Sequence, residues 1–173
     1  MKNPYIVGKS IYLRHPTLED VKGDWYEWLS DPEITKYLSE RYWPNSIESQ
    51  SEFFNNLHKS KNKLVLAVCD IKTDKHIGIT SLNNINWVHG FAEIALIIGD
   101  KNYQSGLNAI ESTSLLLKIA FTKLVPQFAG PQRNNGFFTF LINFSLINIS
   151  FYLFLKIFFC LLEENFLYTF SKI

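Results

Sequence analysis

Two features of the stretch FAEIALIIGDKNYQSGLNAIES (91–112) could do chemistry. The first is Glu93, a carboxylate inside an otherwise apolar, strand-like run. Burial there disfavours the charged form and lifts the pKa toward neutrality, where a carboxylate can exchange protons. On a partly wet strand face, shared with Ala95 and Ile97, the same residue is merely solvated. The second feature is the loop Gln104, Ser105, Gly106, Leu107, Asn108 and Ala109, which closes the strand-like run and opens a helix-like one. A helix N-terminus offers unpaired amides and partial positive charge, and small residues let a phosphate come close to them. A lone glycine also serves a plain flexible joint. Three further side chains could line a site. His89 is otherwise a solvated turn histidine, and Trp43 (in RYWPN) and Trp87 could wall a pocket or belong to the core or its rim.

These residues need a scaffold, and residues 1–125 supply a patterned one. KSIYLRH reads as a short strand. TLED then has capping-box spacing, Thr17 to Asp20, and starts a helix whose Leu18, Val21, Trp25, Trp28 and Leu29 form one apolar face. SDPEITKYL begins a further helical turn with Pro32 at its first position. In NSIESQSEFFNNLHKS, Asn45 and Glu48 again have cap-box spacing, and Ile47, Phe54 and Leu57 supply the stripe. KLVLAVCDI, HIGITSLNNINWV and FAEIALIIG are three strand-length runs separated by short polar turns, which predicts an antiparallel meander. After the loop, Ile110, Leu117, Ala120, Phe121 and Leu124 recur at helical spacing.

The order strand, two helical regions, three-strand meander, then a glutamine-led small-residue loop opening a helix resembles the GNAT superfamily of acyl-CoA-dependent N-acyltransferases. QSGLNA (104–109) is similar to that family's [Q/R]-x-x-G-x-[G/A] phosphate loop at Gln104 and Ala109. INWVHGFAEIALIIGDKNYQ, GKSIYLR and LEDVKGDWYEWLSDPEITKYL resemble the branch that holds ribosomal-protein N-terminal, spermidine and amino-sugar acetyltransferases. The likeness covers about residues 8–125. It departs from the pattern at Leu107, where the family has glycine, and the strain this would impose on the loop bears on affinity for coenzyme A.

The resemblance implies an α/β fold with a mixed, mostly antiparallel central sheet and flanking helices. It also implies transfer of an acetyl group from acetyl-CoA to a primary amine: a protein N-terminus, a polyamine or an amino sugar. The cofactor's pantetheine arm would pair with backbone groups of Ile97, Ile98 and Gly99, and the loop 104–109 would cradle its pyrophosphate. Glu93 would be the base that removes the ammonium proton, directly or through water. Trp43, Trp87 and His89 would border the acceptor, and no metal takes part.

The last 48 residues are of another kind. Of 33 charged side chains they carry only Arg133, Lys156, Glu163, Glu164 and Lys172, yet they hold most of the fifteen phenylalanines. The chain thus divides into a core, 1–125, and an atypical Phe/Leu/Ile-rich tail, 126–173, in which the family's Asn-x-x-Ala and Tyr-x-Lys-x-Gly-Phe continuation is not recognisable. Residues 137–162 are long enough to span a bilayer but contain Asn143, Asn148 and Lys156. They would also serve as buried strands, or as sequence read in a shifted frame, since A/T-rich codons out of frame give this composition. The shifted frame is the reading preferred here, and it implies impaired activity. The alternative for the whole chain is a non-catalytic GNAT-derived domain held at a membrane or partner by its tail.

Net charge of +1 and a pI near 7.7 give no field that would gather nucleic acid. Cys69 and Cys160 have no zinc spacing and read as buried thiols. The N-terminus lacks a signal-peptide core, which points to a cytoplasmic protein with a small-molecule or peptide amine as partner and room for a homo-oligomer.

Overall fold

The computed structural model describes residues 1–36, 38–57, 59–88, 91–124 and 139–142. Its centre is a six-stranded sheet in sequence order, β1 (Pro4–Val7), β2 (Ile11–Arg14), β3 (Leu64–Asp70), β4 (His76–Asn86), β5 (Phe91–Ile98) and β6 (Thr139–Ile142). Neighbours are antiparallel from β1 to β5, and β6 lies parallel to β5. The meander expected from the three apolar runs is present. The N-terminal hairpin adds β1, an element without a periodic sequence signal because its side chains are mostly exposed.

Alternation along the strands divides the core in two. On one face Leu13, Leu66, Ile77, Leu82, Ile94 and Ile98 pack against Leu115, Leu116 and Ile119 of α5 (Gly106–Ile119). On the other, Tyr12, Val65, Ala67, Cys69 and Ile79 pack against Val21, Trp25 and Trp28. Cys69 is a buried free thiol, and burial pushes its pKa up. Cys160 lies outside the described residues, as does the tail apart from β6.

The first helical region is two helices, α1 (Leu18–Lys22) and α2 (Asp24–Ser30), broken at Gly23. The capping box at Thr17 and Asp20 is formed. Leu18 is 44% exposed, because the break turns α1 and α2 separately onto the sheet and leaves Leu18 at the rim. The short α3 (Pro32–Thr35) is capped by Asp31. At α4 (Ile47–Leu57) the cap is Ser46, whose hydroxyl takes the Ser49 amide at 3.1 Å. Asn45 does not cap: its amide donates to Gln50 Oε1 and to the Tyr26 carbonyl.

Candidate active site

β6 follows β5 only from Phe91 to Ile94. Beyond Ile94, no described strand pairs with the outer edge of β5. The Gly99 amide donates to the Ile77 carbonyl at 3.0 Å, and the register Gly78↔Ile98, Ile79↔Ile97 makes Ile97 and Gly99 the residues turned toward β4. Leu96 and Ile98 therefore present their backbone groups to the open edge. Of the three residues expected to meet a pantetheine arm, Ile98 is turned outward, whereas Ile97 and Gly99 are turned inward. Backbone groups of consecutive strand residues alternate between the two edges, so it is Leu96 that shares the outer edge with Ile98.

Gly99 has a steric reason to be glycine: a Cβ there would sit 1.9 Å from Trp28 Cδ2. From Gly99 the chain passes through a turn at Lys101–Tyr103, capped by Asp100, into the loop 104–109. Gln104 Nε2 donates to the outward Ile98 carbonyl at 3.1 Å, and Asn108 Nδ2 to the Tyr103 carbonyl at 2.9 Å, so both side chains brace the loop. Ser105 is the extended N-cap of α5 and its side chain caps nothing. The amides of Gly106 and Leu107 belong to the first turn, for which a helix supplies no partners. An added Cβ on Gly106 meets nothing within 4 Å. Ala109 packs against the core. The strain expected at Leu107 is absent, because it sits in ordinary helical geometry with its side chain 75% exposed. Among the described residues, a strand edge without a partner thus leads into a 14-residue helix without a side-chain cap, which fits a ligand that is amide-rich at one end and doubly anionic at the other.

Glu93 is half-buried on the sheet face away from α5, and its Oε2 accepts from Asn84 Nδ2 at 2.9 Å. Asn84 reaches it from an irregularity in β4, where the register shifts between Asn83 and Asn86 and Asn84 takes φ 49°. Asparagine tolerates that left-handed geometry better than most residues. The two tryptophans do not form one wall. Trp87 packs on the α5 side and donates Nε1 to the Lys61 carbonyl. Trp43 is 77% exposed, in a groove of about 640 Å³ with Tyr26, Leu29, Arg41 and Tyr42. His89 lies outside the described residues.

Sequence reasoning missed a buried ionic cluster beneath α1. Arg14 grips Asp20 with both terminal guanidinium nitrogens, at 2.6 and 2.8 Å, and Asp20 also takes the Thr17 amide at 2.6 Å. His76 Nδ1 faces Asp20 at 3.2 Å without hydrogen-bond alignment, its Nε2 lies 2.9 Å from the Gly78 carbonyl, and the Trp28 ring tilts over it at 4.8 Å. Burial opposes the charge on Asp20, but Arg14, His76 and the Thr17 amide outweigh it and hold the carboxyl at about 2. Burial also lowers the His76 pKa, against the pull of Asp20. No short-range signal marks this cluster, because strand pairing is what brings position 76 to positions 14 and 20. Among the described residues no group of three or more His, Cys, Asp or Glu could hold a metal ion.

The model of the acetyltransferase (GNAT) domain matches residues 10–142, from the start of β2 to the end of β6. The chain belongs to the GNAT acetyltransferase family. Members of this family use acetyl-CoA as co-substrate. The GNAT fold is shared with the spermidine N-acetyltransferase of Vibrio cholerae solved with CoA and spermine, at 21% identity and a TM-score of 0.59, over 68% of each chain. A chimera of the same Vibrio cholerae enzyme matches at 22% and 0.57 over 67% of this chain and 66% of its own. A GNAT-family acetyltransferase from Bacillus anthracis matches at 21% and 0.57, over 69% and 68%. This GNAT chain thus spans about two thirds of the length of each. No curated protein matches it in sequence. Among the described residues no helix is long and apolar enough to cross a membrane.

Proposed function

We propose that this GNAT domain transfers an acetyl group from acetyl-CoA to a primary amine. One observation carries the reading: among the described residues no strand pairs with the outer edge of β5 at Leu96 and Ile98, and from there the chain passes through the turn at Lys101–Tyr103 to the uncapped N-terminus of α5. Acetyl-CoA supplies the acetyl thioester. The outward backbone groups of Leu96 and Ile98 hold the amide-bearing arm as an added strand, and the first-turn amides of Gly106 and Leu107 bind the pyrophosphate through charge-assisted hydrogen bonds. Glu93, oriented by Asn84, accepts the proton that the ammonium must lose before its lone pair can attack. The neutral nitrogen then bonds to the thioester carbonyl carbon, the C–S bond breaks, and the thiolate leaves as coenzyme A after taking a proton. Confining both reactants in one cleft supplies much of the rate.

The acceptor belongs to the polyamines, amino sugars or peptide N-termini, and the branch similarity in residues 8–125 supports that set. Thiol release from acetyl-CoA, measured with one member of each class, tests the reading. Release above the amine-free rate with at least one class is expected. Rates equal to the amine-free control for all three overturn it.

A further inference from the structure

We propose that Trp28 is a positioning residue for the acetyl-CoA site, acting through its contact with Gly99; this rests on the reading that the β5 edge and the α5 N-terminus take that cofactor. Trp28 is buried, and the base of its indole occupies the space where any Gly99 side chain would be, with Cδ2, Cγ and Cε2 at 1.9, 2.2 and 2.4 Å from a Cβ placed on Gly99. Gly99 has no positive φ, so backbone conformation does not require glycine. The indole does. Two backbone bonds turn the chain at this point, from the amides of Gly99 and Asp100 to the single carbonyl of Ile77. β5 therefore ends against the Trp28 ring, one residue past the outward-facing Ile98.

The ring is itself held. It packs in the core with Val21 and Trp25 and lies over His76, which faces the Arg14–Asp20 pair, so Trp28 links the placement of the buried ionic cluster to the strand end. On the far side, Gln104 ties the Ile98 carbonyl to the loop. Moving the Gly99 backbone off the indole displaces Ile98, Gln104 and the first turn of α5 together, which are the groups that must match an extended cofactor over its length. A misplacement of about 1 Å in such a site can cost about a hundredfold in rate.

A double-mutant cycle of Gly99→Ala and Trp28→Ala, read by calorimetric binding of acetyl-CoA with melting temperature alongside, tests the coupling. Gly99→Ala alone is expected to weaken acetyl-CoA binding at least about tenfold. In the Trp28→Ala background, where Cγ, Cδ2 and Cε2 are gone and the methyl has room, it is expected to cost less than about twofold. Trp28→Ala alone removes the contact with Gly99, whereas Trp28→Phe keeps Cγ and a ring edge against it. Trp28→Ala is expected to raise the KM for acetyl-CoA several-fold at nearly unchanged kcat and Trp28→Phe to restore most of that loss, which covers the case in which Gly99→Ala does not fold. Equal penalties for Gly99→Ala in both backgrounds, or wild-type KM in Trp28→Ala, overturn the inference while leaving the proposed function standing. A wild-type chain that binds no acetyl-CoA overturns both.

Discussion

Replacing Asp20 by asparagine keeps the shape of the buried cluster and removes its charge. In the wild type the two carboxylate oxygens meet donors on every side: both Arg14 terminal nitrogens, the Thr17 amide and the Thr17 hydroxyl. An asparagine has one acceptor oxygen, so its NH2 must point at Arg14 or at Thr17, donor against donor. Arg14 is 7% exposed and would keep a buried charge without its counter-ion. Breaking such a pair from one side costs about 3–5 kcal/mol, a large share of the ~5–15 kcal/mol that holds a domain together. The pH dependence gives a second reading. The folded carboxyl sits at about 2 against an ordinary 3.8, so the cluster stabilises the fold above pH 3.8 and that stability is lost as pH falls toward 2. A depression of that size corresponds to about 2 kcal/mol. His76 adds a separate limb with the same sign: its folded pKa is lowered from 6.5, so its stabilisation is complete above pH 6.5 and declines below it. Urea denaturation across the acid range should show Asp20→Asn several kcal/mol less stable at pH 7, with a flatter loss below pH 4. A variant within about 1 kcal/mol of wild type, with the acid limb intact, would refute the reasoning.

Other substitutions separate binding, chemistry and scaffold. Leu107→Glu puts a carboxylate in the first turn of α5, which should stabilise the helix by about 0.3–1 kcal/mol yet weaken acetyl-CoA binding about tenfold; thermal melts and calorimetry should move in opposite directions. Glu93→Gln should lower kcat for amine acetylation about a hundredfold or more while leaving the KM for acetyl-CoA near wild type, measured by thiol release. Glu111 reaches from α5 to the amides of Lys9 and Ser10 and the Ser10 hydroxyl. Glu111→Gln should therefore cost about 1–3 kcal/mol and speed amide exchange in β1 more than in β4.

The meander was legible because each of its strands is a compact run rich in apolar and β-branched residues between polar turns. The helix after the loop was legible from its 3.6-residue spacing. Three features were not, each for a physical reason. β1 gave no pattern because an edge hairpin buries little. The break at Gly23 was hidden because Val21, Trp25 and Trp28 keep helical spacing across it, although two helices share the burial. The N-cap of α4 moved from Asn45 to Ser46, since Asn45 is drawn off to Tyr26 and Gln50. At the site, the loop before α5 was visible as a run of small and polar residues. Which backbone groups face the outer edge of β5 depends on the β4–β5 register, and the need for glycine at 99 depends on an indole 71 positions earlier in the chain.

The central claim is that the edge of β5 and the N-terminus of α5 form an acetyl-CoA site. Calorimetric titration of the purified chain with acetyl-CoA tests it most directly. Saturable one-to-one binding with Kd in the micromolar range, about −8 kcal/mol at 1 μM, is the predicted result. No detectable heat of binding at millimolar acetyl-CoA would contradict it.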